Sequence, residues 1–515
     1  MVKSDVRSTV SAAPVSAAAL VGKVTLPRPP AALSRAALAA AAEQPPTAYS
    51  PIVVAGCVRA IEGALIAFIG TAIYSVYVVR QEGFYWHYAA AIAGIAALAV
   101  FAFEAVDIYQ IHAFRRPLRQ MGRLAAAWSV VFLLAMAISF FGKLDVAFSR
   151  LWLASFYGLG LAALMAWRAG LYFLVRRWMR AGRLTRRTVI VGGGEAGENL
   201  IAALDLQPDT DVRVIGLFDD RNDERAPSDC AGQQKLGTVD DFVEFARRTR
   251  VDLVIFSLPI SAETRILQML KKLWVLPVDI RLSAHSNKLR FRPRSYSYIG
   301  SVPVLDVFDR PIADWDVVMK WLFDKIIGGL ALLAALPLMA LIAIAIKLDS
   351  PGPILFRQKR YGFNNDLIEV YKFRSMYADA ADPAASRLVS KGDPRVTRVG
   401  RIIRKASLDE LPQLFNVLFK GNLSLVGPRP HAVNAKAESR LYDEAVDGYF
   451  ARHRVKPGVT GWAQINGWRG ETDTQEKIQK RVEYDLYYIE NWSVLFDLYI
   501  VAITPFALLK TENAY

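Results

Sequence analysis

The residues best suited to do chemistry lie in the last third of the chain. Ser407-Leu-Asp409-Glu410-Leu-Pro-Gln413 sets two carboxylates side by side, directly after Arg398, Arg401 and Arg404, which recur every third residue along one helical face. Adjacent helical residues point about 100° apart, so Asp409 and Glu410 are badly placed to share a proton and well placed to take different partners. One could attack a phosphorus centre while the other holds a metal, with nearby arginines and helix-terminal amides stabilising the transferred phosphoryl charge. Magnesium, which favours carboxylate and phosphate oxygens, suits the second acid. Ser407 and Glu410 also match a capping box, a reading in which the acids only start a helix.

Basic residues crowd the same region: Arg357, Lys359, Arg360, Lys372-Phe-Arg374, Lys391, Arg395 and Lys405. Gly427-Pro-Arg429-Pro430 holds an arginine between two prolines of locked φ, which suits a rigid phosphate clamp. Further on, the run from Lys456 through Trp462-Ala-Gln464 to Trp468-Arg469 combines tight turns with aromatic faces and amides, the inventory for a base or sugar ring. No nucleic-acid module is recognisable, so the phosphates of a nucleotide and of a lipid are the expected targets.

The rest of the chain must place this region at a membrane. Over 515 residues the composition is 53% hydrophobic with a formal charge of +15, and a mean hydropathy of +0.22 is too apolar for a soluble enzyme. Residues 1–51, rich in Ala, Pro, Ser and Val, read as a disordered tail. Within 52–180, apolar stretches at Ile61–Val79, Trp86–Phe103, Leu124–Phe141 and Leu151–Val175 predict a four-helix transmembrane region. Arg115, Arg116, Arg119 and Arg123 after the second stretch, and Arg176 to Arg187 after the fourth, put both segments on the cytoplasmic side. Arg59 and Glu62, at the entry of the first span, are expected to snorkel to the interface.

Residues 184–300 read as a Rossmann-like domain. Strand Thr188–Val191 leads into the Gly192-Gly-Gly-Glu-Ala-Gly197 turn and a helix, and strand Val212–Phe218 ends in Asp219 and Asp220, where a ribose-binding acid would stand. No Tyr-x-x-x-Lys pair occurs, so a regulatory or structural role is expected here. The apolar run in 320–347 is flanked by Lys320, Lys325 and Lys347 and interrupted by Pro337. Positive charge at both ends and a proline in the middle predict a re-entrant helix-break-helix leading a catalytic domain at 313–515. Cys57 and Cys230 support no disulfide framework, and His87, His112, His285, His431 and His453 are too scattered for a zinc site. Asp314-Trp-Asp316 imitates a glycosyltransferase metal motif but reads as interfacial punctuation before the membrane helix.

Lys372-Phe-Arg-Ser-Met376, Ser407–Gln413, Gly427-Pro-Arg-Pro430 and Gly461-Trp-Ala-Gln464, in that order behind four spans and a Rossmann-like domain, resemble the bacterial sugar transferases in their large monotopic phosphoglycosyl transferase form. The resemblance implies a membrane α-helical bundle, an α/β Rossmann-like domain and an α/β monotopic catalytic domain with a re-entrant membrane helix. It implies that Asp409 takes a sugar phosphate from a UDP-sugar, releasing UMP, with Glu410 as the magnesium ligand. Lys372, Arg374, Arg404, Arg429 and Arg469 would bind substrate. Undecaprenyl phosphate would then attack the phosphorylated Asp409, beginning an exopolysaccharide or capsule repeat unit. The block Trp462–Thr474 ranks UDP-glucose first and UDP-galactose second. The implied setting is multi-pass in the bacterial inner membrane, the catalytic domain on the cytoplasmic face against membrane lipid, with no nucleic acid and with room for a homodimer.

Overall fold

A computed structural model describes residues 33–43, 45–109, 117–142, 148–207, 211–221, 229–258, 262–284, 297–299, 302–380, 393–431, 436–437, 440–441, 449–468 and 474–509. Two compact units divide the chain: a helical unit formed by residues 44–187 with 204–213, and a second unit that holds the sheet and the last third.

In the stretch read as a tail, helix α1 (Arg35–Ala42) is formed, capped by Ser34 Oγ, which accepts from the Ala37 amide at 3.1 Å. Ala is the strongest helix former, and the small faces of Ala37 and Ala41 bury in the core of the α/β sheet domain. Ser34 Oγ also donates to the Leu236 carbonyl at 2.7 Å, so residues 34–42 are not a loose tail.

The helical unit contains α2 (Pro51–Ile73, continued by a π-turn), α3 (Trp86–Ala105), α4 (Pro117–Phe141) and α5 (Arg150–Arg180). Each is long and apolar enough to cross a membrane, and with the helix at 314–349 they make five such helices among the described residues. Glycine lets them approach closely: a Cβ on Gly160 would lie 2.6 Å from the Trp128 ring, and one on Gly70 2.8 Å from Phe156. Glu62 does not snorkel. It is fully buried and ion-paired with Arg168 at 2.6 Å, while Arg59 pairs with Glu104 at 2.5 Å. Two buried charges across a bundle satisfy each other more cheaply than one charge dragged to the interface.

In the second unit, β1 (Arg186–Val191), α6 (Glu195–Asp205), β2 (Val212–Phe218), β3 (Asp229–Cys230), β4 (Gln233–Gly237), α7 (Val239–Arg248), β5 (Leu253–Phe256), α8 (Glu263–Leu273), β6 (Asp279–Ser283), β7 (Ser297–Ile299) and β8 (Val302–Phe308) build one mixed sheet. Its order is β3-β4-β2-β1-β5-β6-β8-β7, parallel across β4, β2, β1, β5 and β6 and antiparallel at both edges. The central strands read as unbroken apolar runs because both faces are covered. Asp219 and Asp220 are spent internally: Asp219 accepts from the Gly193 amide at 2.7 Å, and Asp220 from the Val239 amide at 2.9 Å, capping α7.

Helix α9 (Asp314–Asp349) runs 36 residues with Pro337 in its interior. The helix-break-helix expected there is therefore corrected: the helix is continuous. A proline removes one donor and crowds the carbonyl four residues back, which bends a helix without having to end it. Asp314 and Asp316 occupy its first turn, where carboxylates complement the helix dipole.

Candidate active site

Three short elements bring the reactive side chains together. The hairpin of β9 (Leu355–Tyr361) and β10 (Leu367–Phe373) pairs along its full length, Leu367 with Tyr361 through to Phe373 with Leu355. Buried Asn416 ties β10 to the following helical segment, its Oδ1 accepting from the Tyr371 amide at 2.9 Å and its Nδ2 donating to the Glu369 carbonyl at 2.6 Å. This clamp aims Lys372 at the acidic pair. Helix α10 (Arg398–Lys405) starts at Thr397, whose hydroxyl caps the Gly400 amide at 2.9 Å, and its last turn carries Arg404.

The acids themselves do not start an α-helix. Asp409 and Glu410 form a short 3-10 turn behind Ser407, whose φ of +55° is strained for a non-glycine residue. No side-chain cap is made, so the capping box is not formed. Glu410 turns instead to two cations, accepting from Lys372 Nζ at 2.8 Å and from Arg429 Nη2 at 2.6 Å. Asp409 makes neither a hydrogen bond nor an ion pair with any described residue.

Burial would raise the pKa of Glu410, but Arg429 and Lys372 outweigh it and hold the carboxyl well below its ordinary value. Burial pushes Asp409 up; Lys372 opposes this, and the Glu410 charge adds to it. Burial likewise lowers the Lys372 ammonium, against the pull of both carboxylates. Two neighbouring acids are thus driven apart: one permanently ionised and clamped, the other free and more basic, the arrangement that separates roles in a catalytic pair.

Arg429 reaches Glu410 from the loop after β11 (Ser424–Val426), which pairs in parallel with β12 (Gly458–Thr460). The strands cross so tightly that a Cβ on Gly427 would lie 2.5 Å from the Lys456 carbonyl oxygen, and Cβ atoms on Gly458 or Gly461 would strike Gly427 itself. Only glycine allows this crossing, and the crossing sets where Pro428, Arg429 and Pro430 emerge.

Lys372, Arg429, Asp409 and Glu410 therefore meet, and Arg404 lies near enough to lower the Asp409 pKa. Arg374 is elsewhere: it is buried, and its guanidinium donates to the Ser350 carbonyl at 2.7 Å and to the Pro351 carbonyl, locking the end of α9. Both terminal nitrogens thus donate to main-chain carbonyls at the end of α9. Arg469 lies outside the described residues, as do Lys391, His112, His285, Arg115 and Arg116. Trp462 packs edge-on against Phe496 at 5.0 Å, so its ring supports the fold beside the site. Sequence reasoning passed over Asn416, Arg452 and Asp485, because a lone buried amide or charge shows no spacing signal.

For a divalent cation, no group of three or more His, Cys, Asp or Glu side chains converges among the described residues. The donor set suits an ion held mainly by substrate: Asp409 is unengaged, and although Glu410 Oε1 accepts from both Lys372 and Arg429, Oε2 accepts one N–H and keeps a second lone pair.

Paired acids under a basic helix, fed by a glycine crossing and a lysine hairpin, define a phosphate-handling membrane transferase. A profile of the family "Bacterial sugar transferase" matches residues 315–511, and one described as "CoA-binding domain" matches 104–284. The chain belongs to the bacterial sugar transferase family. It is 36% identical to "UDP-glucose:undecaprenyl-phosphate glucose-1-phosphate transferase" of Escherichia coli (strain K12), over 79% of this chain and 86% of that protein. The protein of the same name from Xanthomonas campestris pv. campestris is 34% identical over 83% and 88%. "Undecaprenyl-phosphate glucose phosphotransferase" of Komagataeibacter xylinus is 42% identical over 65% of this chain and 61% of its own length.

Proposed function

We propose that this enzyme transfers glucose-1-phosphate from UDP-glucose to undecaprenyl phosphate, through a covalent phosphosugar on Asp409, at the cytoplasmic face of a bacterial inner membrane. The observation that carries the reading is the electrostatic division of the acidic pair: Glu410 clamped by Lys372 and Arg429, Asp409 free beside Arg404. An Asp409 oxygen attacks the sugar-bearing phosphorus, the phosphoanhydride bond breaks, and UMP departs with the electron pair. An undecaprenyl phosphate oxygen then attacks the same phosphorus, and the aspartyl bond breaks to restore Asp409.

Lys372, Arg404 and Arg429 outnumber the two carboxylates, so the site keeps a positive field for the charge shared by the incoming and departing phosphates. Magnesium, carried by the diphosphate and the remaining lone pair of Glu410 Oε2, would neutralise leaving-group charge. Glucose is favoured by the names of the relatives covering most of the chain, and the sequence from Trp462 to Thr474 supports the same choice. Such a step begins an exopolysaccharide repeat unit.

A re-entrant course for α9 belongs to this reading. One domain grips both its ends: Lys320 pairs with Asp497 at 2.6 Å near the start, and Asp349 accepts from the Val399 amide at 3.1 Å at the finish. A spanning helix would separate those ends by a hydrocarbon layer of about 30 Å. The deciding experiment incubates purified enzyme in lipid with UDP-glucose and no acceptor, then seeks a hexose-phosphate adduct on Asp409 by mass spectrometry. UMP release, loss of the adduct on adding undecaprenyl phosphate, and weaker labelling by UDP-galactose are expected. An active enzyme that never carries the adduct means direct attack by the lipid phosphate, and release of UDP means a glycosyltransferase.

A further inference from the structure

Behind the site lies a second cluster of charges that the chemistry above does not use. The short helix Tyr449–Arg454 and α11 (Gln475–Glu490) face each other across a fully enclosed group: Arg452, Asp485, Arg481 and His431. Arg452 pairs with Asp485 at 2.5 Å and contacts His431 Nδ1 at 2.7 Å, while Arg481 Nη1 lies 3.2 Å from His431 Nε2. Burial, then the flanking arginines, lowers the His431 pKa well below its ordinary value, so a neutral ring sits between two guanidinium groups. Four polar side chains are thus closed off from water together. Burying such a group is at best neutral for stability compared with apolar packing, so its use must be sought in geometry.

The geometry is specific. Arg452 Nη2 donates to the main-chain carbonyl of Arg429 at 2.8 Å, and Arg481 Nε donates to the carbonyl of Trp468 at 2.9 Å, the residue preceding Arg469. From the other side, Arg360 Nη1 donates to the carbonyl of Pro430 at 2.9 Å. The buried cluster thus holds the backbone beneath Arg429 and at Trp468.

We propose that Arg452, Asp485, Arg481 and His431 form a positioning platform for the substrate-phosphate arginine Arg429, with Arg452 acting through its main-chain carbonyl. The proposal rests on reading Arg429 as a phosphate contact. None of the four touches substrate: they fix the main chain from which the gripping side chain projects, and a loop free to shift by an ångström would lose the alignment that speeds transfer.

The test is a double-mutant cycle in the full-length enzyme in lipid nanodiscs, read as kcat/KM for UDP-glucose from UMP release and normalised to the fraction that folds. Arg452→Lys keeps the charge but not the fork whose Nη2 reaches Asp485 and the Arg429 carbonyl while Nη1 reaches His431. It is expected to lower kcat/KM about tenfold, the worth of one charged hydrogen bond. In an Arg429→Ala background the same change is expected to cost less than about twofold, because the residue it positions is gone. Equal losses in both backgrounds would make Arg452 an ordinary structural residue and overturn the platform alone. Unchanged kcat/KM in Arg429→Ala by itself would overturn the reading of Arg429, and the platform with it. Should Arg452→Lys fail to fold, Asp485→Asn, which keeps the side-chain shape, runs through the same cycle with the same two outcomes.

Discussion

Asp409 and Glu410 are neighbours whose carboxyl pKa values are pushed in opposite directions, and this makes their failures distinguishable. Asp409→Asn keeps size and removes the attacking charge, so the hexose-phosphate adduct should vanish while UDP-glucose still binds; mass spectrometry and equilibrium dialysis read the two effects separately. Glu410→Gln should slow turnover and weaken magnesium dependence with partial rescue at high metal, whereas two acids that merely began a helix would lose about 1 kcal/mol and keep their turnover. The pH profile follows from the same electrostatics. On the proposed route transfer requires ionised Asp409, and its pKa is raised, so activity should fall as pH drops through a value above the ordinary aspartate pKa of about 3.9. Neutralising Glu410 removes one of the causes of that rise, so in Glu410→Gln the acid limb should move to lower pH. A limb that stays put or moves upward in UMP-release assays would mean that another group titrates.

Helices carry two further consequences. In α9 both ends are held by one domain, so single cysteines placed at Asp314 and at Ser350 should react with an impermeant reagent from the same side of the membrane. Labelling from opposite sides would make α9 a plain span. In the bundle, the buried Glu62–Arg168 pair joins α2 to α5. Arg168→Met alone leaves a bare buried carboxylate and should cost about 3 kcal/mol or more, while adding Glu62→Leu should recover most of the loss. Thermal melting in detergent compares the three proteins; a single variant as stable as the double would show that Glu62 finds another partner.

The sheet domain and the last third share one unit and touch at named points. The Asn364 amide donates to the Ala246 carbonyl at 3.0 Å, Arg247 lies over the Phe450 ring at 4.9 Å, and Arg454 donates to the Asp309 carbonyl at 3.2 Å. Two of these contacts fall on the helix Tyr449–Arg454, yet Lys372, Arg404, Asp409, Glu410 and Arg429 all lie after Ser350. A chain starting near Ala313 should therefore keep measurable transfer in lipid but melt earlier than the full protein. Complete loss of turnover in a folded, inserted truncation would place an essential ligand or residue in the sheet domain.

The acidic pair, the lysine of β10, the arginine between prolines and the apolar helices were legible in the sequence because each is local: a motif, a period or a run of about 20 residues. The sheet's central strands were legible for the same reason. Other features depended on partners far away in the chain. Ser407–Glu410 carries a capping-box pattern, but Lys372 and Arg429, 38 and 19 positions distant, draw Glu410 away from the helix start. Arg374, read from its motif as a phosphate ligand, also donates to the carbonyls of Ser350 and Pro351, contacts no motif shows. Glu62 looked interfacial until Arg168, 106 positions on, met it inside the bundle, and an alanine-rich tail proved to have a sheet domain to dock on. A one-dimensional pattern records what a side chain is able to do; which of its possible partners it meets is set by packing, where desolvation makes the nearest compensating charge or carbonyl decisive.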